Sequence, residues 1–213
     1  MQIIRKPHFE YLLFSILSTL LVPPFFEGQL QSIVFHFTLS LVLVSGIFIL
    51  GYKQKGYFLL IFLALVASIL NWLDLYKTQF NLLLLLKIIF FTPYFIFLIS
   101  TIFKQVMREK EVSEQTIFGG IAVYLMLGLT GALFFAGIEF IFPHSFNFTQ
   151  GDVLQFQDFV YYSFITLSTV GYGDVTPATS KAQALSVTLS ITGQIYLTVM
   201  IALLVGKYAN RVD

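Results

Sequence analysis

The sequence predicts an all-α membrane protein with six spanning helices and one short apolar segment between the last two. Three observations lead there. Of 213 residues, 57% are hydrophobic and only 11% charged, whereas a soluble domain carries about 25% charged residues. Mean hydropathy is +0.85. The apolar residues also gather into runs close to the roughly 20 that a spanning helix needs. The same composition excludes a disordered chain, which requires low hydrophobicity and high charge. A net charge of +1 leaves no basic stripe for nucleic acid. With no cysteine, disulfides, thiolate zinc sites and cysteine nucleophiles are excluded.

The expected spans are Phe9–Phe26, Ile33–Leu50, Phe58–Leu73, Leu82–Phe103, Ile117–Phe142 and Ala182–Gly206. Pro23 and Pro24 should end or kink the first, because proline lacks an amide proton and clashes with the preceding turn. An interfacial helix is an alternative for this run. A signal peptide is another, since Arg5 and Lys6 precede it, but Pro-Pro-Phe-Phe-Glu is no small-residue cleavage site. The segment Phe156–Ser168 is too short to cross as a helix; it can dip in and return.

Lys and Arg positions set the orientation. Arg5, Lys6, Lys53, Lys55, Lys104, Arg108, Lys110, Lys207 and Arg211 all fall on one side of a six-span arrangement. Lys77 and Lys181 fall on the other, and Lys87 lies within the fourth span. Both termini are therefore expected in the cytoplasm of a multi-pass protein of the plasma (cell inner) membrane. The chain is expected to divide into residues 1–112, with four spans, and residues 113–213. The charged stretch Lys104–Thr116 between them reads as a helix on the inner membrane surface or as a solvated loop.

Between the fifth and sixth spans stand Thr169, Val170, Gly171, Tyr172, Gly173 and Asp174. Four Thr-Val-Gly-Tyr-Gly loops build the filter of potassium channels. From Asp158 to Pro177 the chain reads DFVYYSFITLSTVGYGDVTP, which resembles the pore loop of the tetrameric potassium-channel superfamily. The resemblance covers residues 113–213 as outer helix, pore helix, filter and inner helix. It is to a six-span, one-pore channel of the voltage-gated-like type, with a pore of prokaryotic kind.

The resemblance implies that the carbonyls of Thr169, Val170, Gly171 and Tyr172, with the Thr169 hydroxyl, replace the water of a K+ ion. Aiming successive carbonyls at one axis needs alternating backbone twist, including positive φ, which glycine adopts without steric cost; hence Gly171 and Gly173. One loop cannot surround an axis, so a homotetramer follows. The dipole of the short helix should favour a cation near its C-terminus. Asp174 copies would form an acidic ring at the outer mouth. Tyr161 and Tyr162 are implied as a cuff holding Tyr172 outward. Asp158 in the first turn reads as a helix-start carboxylate. A glutamate found behind the filter in some family members is replaced here by Ile165. Gly193 is implied as a gating hinge, with close helix packing as the alternative. Gly206 reads as the end of the last helix.

The fourth span carries Lys87 and no arginine. Moving one charge through 100 mV is worth about 2.3 kcal/mol, so steep voltage gating is not expected. Lys87 should snorkel or pair with Asp74, and Pro93 should kink the helix. His36 lies within a span and reads as a hydrogen-bonded structural residue. Asn147, Phe148 and Thr149 match a glycosylation sequon by chance. No enzyme is expected: the Gly-x-Ser-x-Gly elbow is absent, and no span after the second contains a His that could partner a serine. A transporter would show re-entrant segments in both halves. A non-conducting channel-like subunit is the remaining alternative. The expected partners are K+, the lipid bilayer and three further copies, with no cofactor beyond K+ and no nucleic acid.

Overall fold

The computed structural model describes residues 8–49, 56–76, 81–109, 111–148 and 155–209. Arg5, Lys6, Lys53, Lys55, Lys77, Lys110, Arg211, Thr149 and Leu50 lie outside them. The chain is mostly helical and forms two compact units, Met1–Val123 and Tyr124–Asp213.

The first unit opens with α1 (Phe9–Leu21). Phe9, Leu12, Leu13 and Ile16 are its buried apolar residues, at the spacing of one helical face. Pro23 and Pro24 stop it, and a 3-10 turn at Pro23–Phe25 follows, as proline's missing amide requires. Next come α2 (Gly28–Ile47), α3 (Tyr57–Leu73) and α4 (Asn81–Arg108). Consecutive members of this series pack against each other. Gly46 is where α2 meets α4: a Cβ there would collide with the Tyr94 hydroxyl and Leu98. Tyr94 is fully buried, and its hydroxyl donates to the Leu43 carbonyl at 2.6 Å. Pro93 sits inside α4 without ending it.

α5 (Glu114–Ile141) leads into the second unit. There follow a short strand β1 (Phe146–Phe148), α6 (Phe156–Leu167), β2 (Val175–Pro177) and α7 (Ser180–Ala209). β1 and β2 pair antiparallel, with Asn147 opposite Thr176. Two sequence expectations change. α7 passes through Gly206 to Ala209, because nothing there needs a left-handed residue to stop it. The charged stretch after residue 103 is no separate surface helix among the described residues. Its first part extends α4 to Arg108 and its last part is the first turn of α5.

Gly28–Ile47, Leu82–Arg108, Glu114–Ile141 and Ser180–Ala209 are long and apolar enough to cross a membrane. α1 and α3, with 13 and 17 residues, extend about 20 and 25 Å at 1.5 Å per residue. Large apolar side chains face outward, among them Phe14, Phe37, Phe58, Phe62 and Ile69. A protein surface of this kind is matched by hydrocarbon rather than water.

Several buried polar groups of the first unit pair with one another, although Thr92 Oγ1 and Gln105 Oε1 are buried without a partner. His36 Nδ1 donates to Asn71 Oδ1 at 2.8 Å. Asn71, fully buried, donates in turn to the His36 carbonyl at 2.8 Å and to Ser40 Oγ at 3.1 Å. The Trp72 indole also donates to Ser40 Oγ at 3.1 Å. Lys87 Nζ reaches Asp74 Oδ2 at 2.5 Å. His36 Nε2 stands 3.9 Å from the same carboxylate oxygen. The expected pairing of Lys87 with Asp74 is thus present, and His36 is hydrogen-bonded.

This pair yields a stability prediction. Lys87→Met should lower thermal stability in detergent by about 1 kcal/mol, a modest loss because the Asp74 side chain is 40% exposed. Adding Asp74→Asn should recover most of it. Equal melting of Lys87→Met and the unaltered protein would show that the pair contributes nothing.

Candidate ion-conduction site

α6 fixes the site, and its start is set by a carboxylate. Asp158 in the first turn accepts from the Gln155 amide at 2.8 Å, closing a capping box. Its apolar face is anchored by an aromatic cluster. Tyr162 lies against Phe135 and Phe146, with ring centroids 4.7 and 5.3 Å away. Phe159 completes the group through Phe146 and Phe148. The Tyr162 hydroxyl meets Ser186 Oγ of α7 at 2.7 Å. Small residues on α5 let α6 come close. A Cβ on Gly128 would strike the Phe164 ring, and one on Gly131 would strike Ser163 and Leu189. Ser163 Oγ donates to the Gly128 carbonyl at 2.6 Å.

A helix leaves its last carbonyls without intrahelical partners. Here each of the last four finds a donor. Phe164 accepts from the Ser168 amide at 3.0 Å, Ile165 from the Gly171 amide at 3.1 Å, and Thr166 from the Thr169 amide at 3.1 Å. Ser190 of α7 also donates to the Thr166 carbonyl at 3.0 Å. Tyr124 of α5 donates to the Leu167 carbonyl at 3.4 Å.

From there the chain runs through Thr169, Val170, Gly171, Tyr172 and Gly173. Positive φ recurs at every second residue: 61° at Thr169, 53° at Gly171 and 83° at Gly173. Such alternation of twist turns consecutive carbonyls toward one side. The glycines reach it freely, while Thr169 is β-branched and an outlier there. All five residues are exposed in the single chain. Asp174 Oδ2 accepts the Tyr161 hydroxyl at 2.6 Å, and its Oδ1 accepts the Val175 amide at 3.0 Å. The bond to Asp174 favours the protonated phenol and pushes the Tyr161 pKa up to about 12.

The expected residues therefore divide. Thr169 to Asp174 form one segment, and Tyr161 meets it at Asp174. Tyr162 is buried in the aromatic cluster with Phe135 and Phe146. Gly193 is buried against the Leu167 carbonyl, with which a Cβ would collide; α7 continues unbroken past it. Four contributors were not singled out from sequence. Glu139 accepts the amides of His144, Ser145 and Phe146 at 2.8, 2.9 and 3.1 Å, tying down the turn before β1. Tyr124, Ser190 and Gln194 reach α6 or the segment after it. A carboxylate ending an apolar span and an amide beside Gly193 were the available signals. Among the described residues, no His, Asp and Glu group is arranged to hold a metal ion.

Residues 115–210 match the family model described as Ion channel. Two curated relatives match over a shorter stretch. "Two pore potassium channel c" of Oryza sativa subsp. japonica is 31% identical over 82 residues, 38% of this chain and 16% of that protein. "Two-pore potassium channel 4" of Arabidopsis thaliana is 35% identical over 77 residues, 36% of this chain and 24% of that protein. The matched stretches thus cover less than a quarter of these relatives' length. No solved structure matches the chain.

Gly193 gives the test of this geometry. Ala is the better helix former by about 1 kcal/mol, but overpacking against a backbone carbonyl costs about 1–3 kcal/mol. Gly193→Ala should therefore lower the melting temperature in detergent. Gly206→Ala, where a Cβ meets nothing within 4 Å, should not. Equal melting of the two variants would mean that α7 and α6 are not in close contact.

Proposed function

We propose that this chain is one subunit of a homotetrameric, passive K+-selective channel. The observation that carries this reading is the recurrence of positive φ at Thr169, Gly171 and Gly173 in a Thr-Val-Gly-Tyr-Gly segment seated on a short, fully capped helix. A K+ ion sheds water only where oxygens of matching strength replace it. The carbonyls of Thr169, Val170, Gly171 and Tyr172, with the Thr169 hydroxyl, serve as those oxygens. Four copies are needed to enclose an axis. Non-helical backbone at membrane depth requires burial in protein or a watery lumen, and a tetramer supplies both. The potassium-channel names of the two relatives support the choice of ion.

In this reading Gly173 supports the filter, and Asp174 gathers cations at the mouth while Tyr161 holds its carboxylate. Tyr162 steadies α6 from behind, and Tyr172 packs against the neighbouring subunit. All six apolar helices cross the plasma membrane, with both termini inside. α7 moves about Gly193 during gating. Residues 1–112 form a shell that faces lipid or senses something other than voltage, because Lys87 is committed to Asp74 and no arginine array accompanies it.

Potassium flux from liposomes holding the purified protein should exceed sodium flux. Gly173→Ala should abolish selective conduction, since φ of 83° opposes a Cβ. Equal passage of both ions by the unaltered protein would refute the reading. The conductance–voltage curve should be shallow and unmoved by Lys87→Gln. A steep curve that shifts with that substitution would make the first four helices a voltage sensor.

A further inference from the structure

We infer that Gln194 is a positioning residue for the innermost K+ site, holding the Thr169 hydroxyl in place from α7. The inference rests on the filter reading above. The Ser and Thr hydroxyls of α7 around this position have partners. Thr192 donates to the Thr188 carbonyl at 2.7 Å and Thr198 to the Gln194 carbonyl at 2.8 Å. Ser190 caps α6 at the Thr166 carbonyl. Gln194 is exposed in the single chain, and its Nε2 lies 3.4 Å from Thr169 Oγ1.

The direction of that bond has chemical content. An amide N–H can only donate, so it takes one lone pair of the threonine oxygen and leaves the other for a cation. It also holds a residue that needs holding. Thr169 is β-branched at φ 61°, a conformation that persists only when its surroundings enforce it. Its amide is tied to the Thr166 carbonyl at 3.1 Å, and its side chain is tied to Gln194. In a tetramer, four such amides ring the inner entrance of the filter. Groups that orient a ligand from outside the coordination shell govern affinity as well as geometry. The adjacent glycine belongs to the same arrangement: Gly193 brings α7 against the Leu167 carbonyl, and this places Gln194 within reach of Thr169.

The test is block of K+ current by Ba2+ added from the inner side of full-length protein in planar bilayers. Ba2+ is close to K+ in size and doubly charged, so it reports the strength of the innermost oxygens. Gln194→Leu should weaken the block about tenfold, the lower end of what removal of a ligand-orienting group costs in metal affinity. Gln194→Glu replaces the donor with an anionic acceptor and should tighten it. A purely structural role for Gln194 would lower stability and leave Ba2+ affinity alone. If Gln194→Leu does not assemble, Gln194→Met, which keeps the side-chain length, carries the same expectation. Selective current with unchanged Ba2+ affinity in the Leu or Met variant and in the Glu variant overturns the assignment of Gln194 alone. Unselective current through the unaltered protein overturns the filter reading beneath it.

Discussion

The last four carbonyls of α6 have no partner within the helix and must find donors outside it. A carbonyl buried without a donor costs about 2–7 kcal/mol. The rest of the second unit follows from this demand. Phe164, Ile165 and Thr166 accept amides from Ser168, Gly171 and Thr169, which folds the following chain back over the helix end. That return leaves Thr169 with positive φ. Ser190 and Tyr124 supply the remaining donors from the two long helices, so α5 and α7 both have to stand close to α6. Small residues at 128, 131 and 193 grant that closeness. The segment Thr169–Gly173 is thereby shaped from behind by hydrogen bonds.

Three carboxylates fix turns and the helix start in the second unit. Glu139 gathers three amides in the turn before β1, Asp158 starts α6, and Asp174 joins Tyr161 to the segment after Gly173. Each carboxylate meets N–H or O–H donors, the strong form of hydrogen bond. The C-terminal end of α6 lacks charged groups and uses hydroxyls and amides instead.

Much of this was legible in the sequence, for physical reasons. Helices α5, α6 and α7 announce themselves by apolar length, and the bounds of α6 were read to within one residue because Asp158 and the glycine-rich segment mark its ends. Gly171 and Gly173 could be read because glycine has one common reason to alternate in an apolar setting. The left-handed Thr169 could not, since threonine argues against it and only the hydrogen bonds to the end of α6 impose it. Pairings such as Gln194 with Thr169 or His36 with Asn71 join residues 25 and 35 positions apart. No periodicity records such contacts. Helix ends at Arg108 and Ala209 ran past the apolar stretches because a helix continues into the interface wherever nothing breaks it.

Close approach of α5 and α6 has a consequence for how this sequence can drift. Gly128 and Phe164 occupy one shared volume: the ring fills the space that a methyl at 128 would need. Neither position can change size alone, and exchange of material between them is the route open to both. Among descendants of this chain, a larger residue at 128 belongs with a smaller one at 164. The two sites, 36 positions apart in the sequence, therefore inherit as a pair.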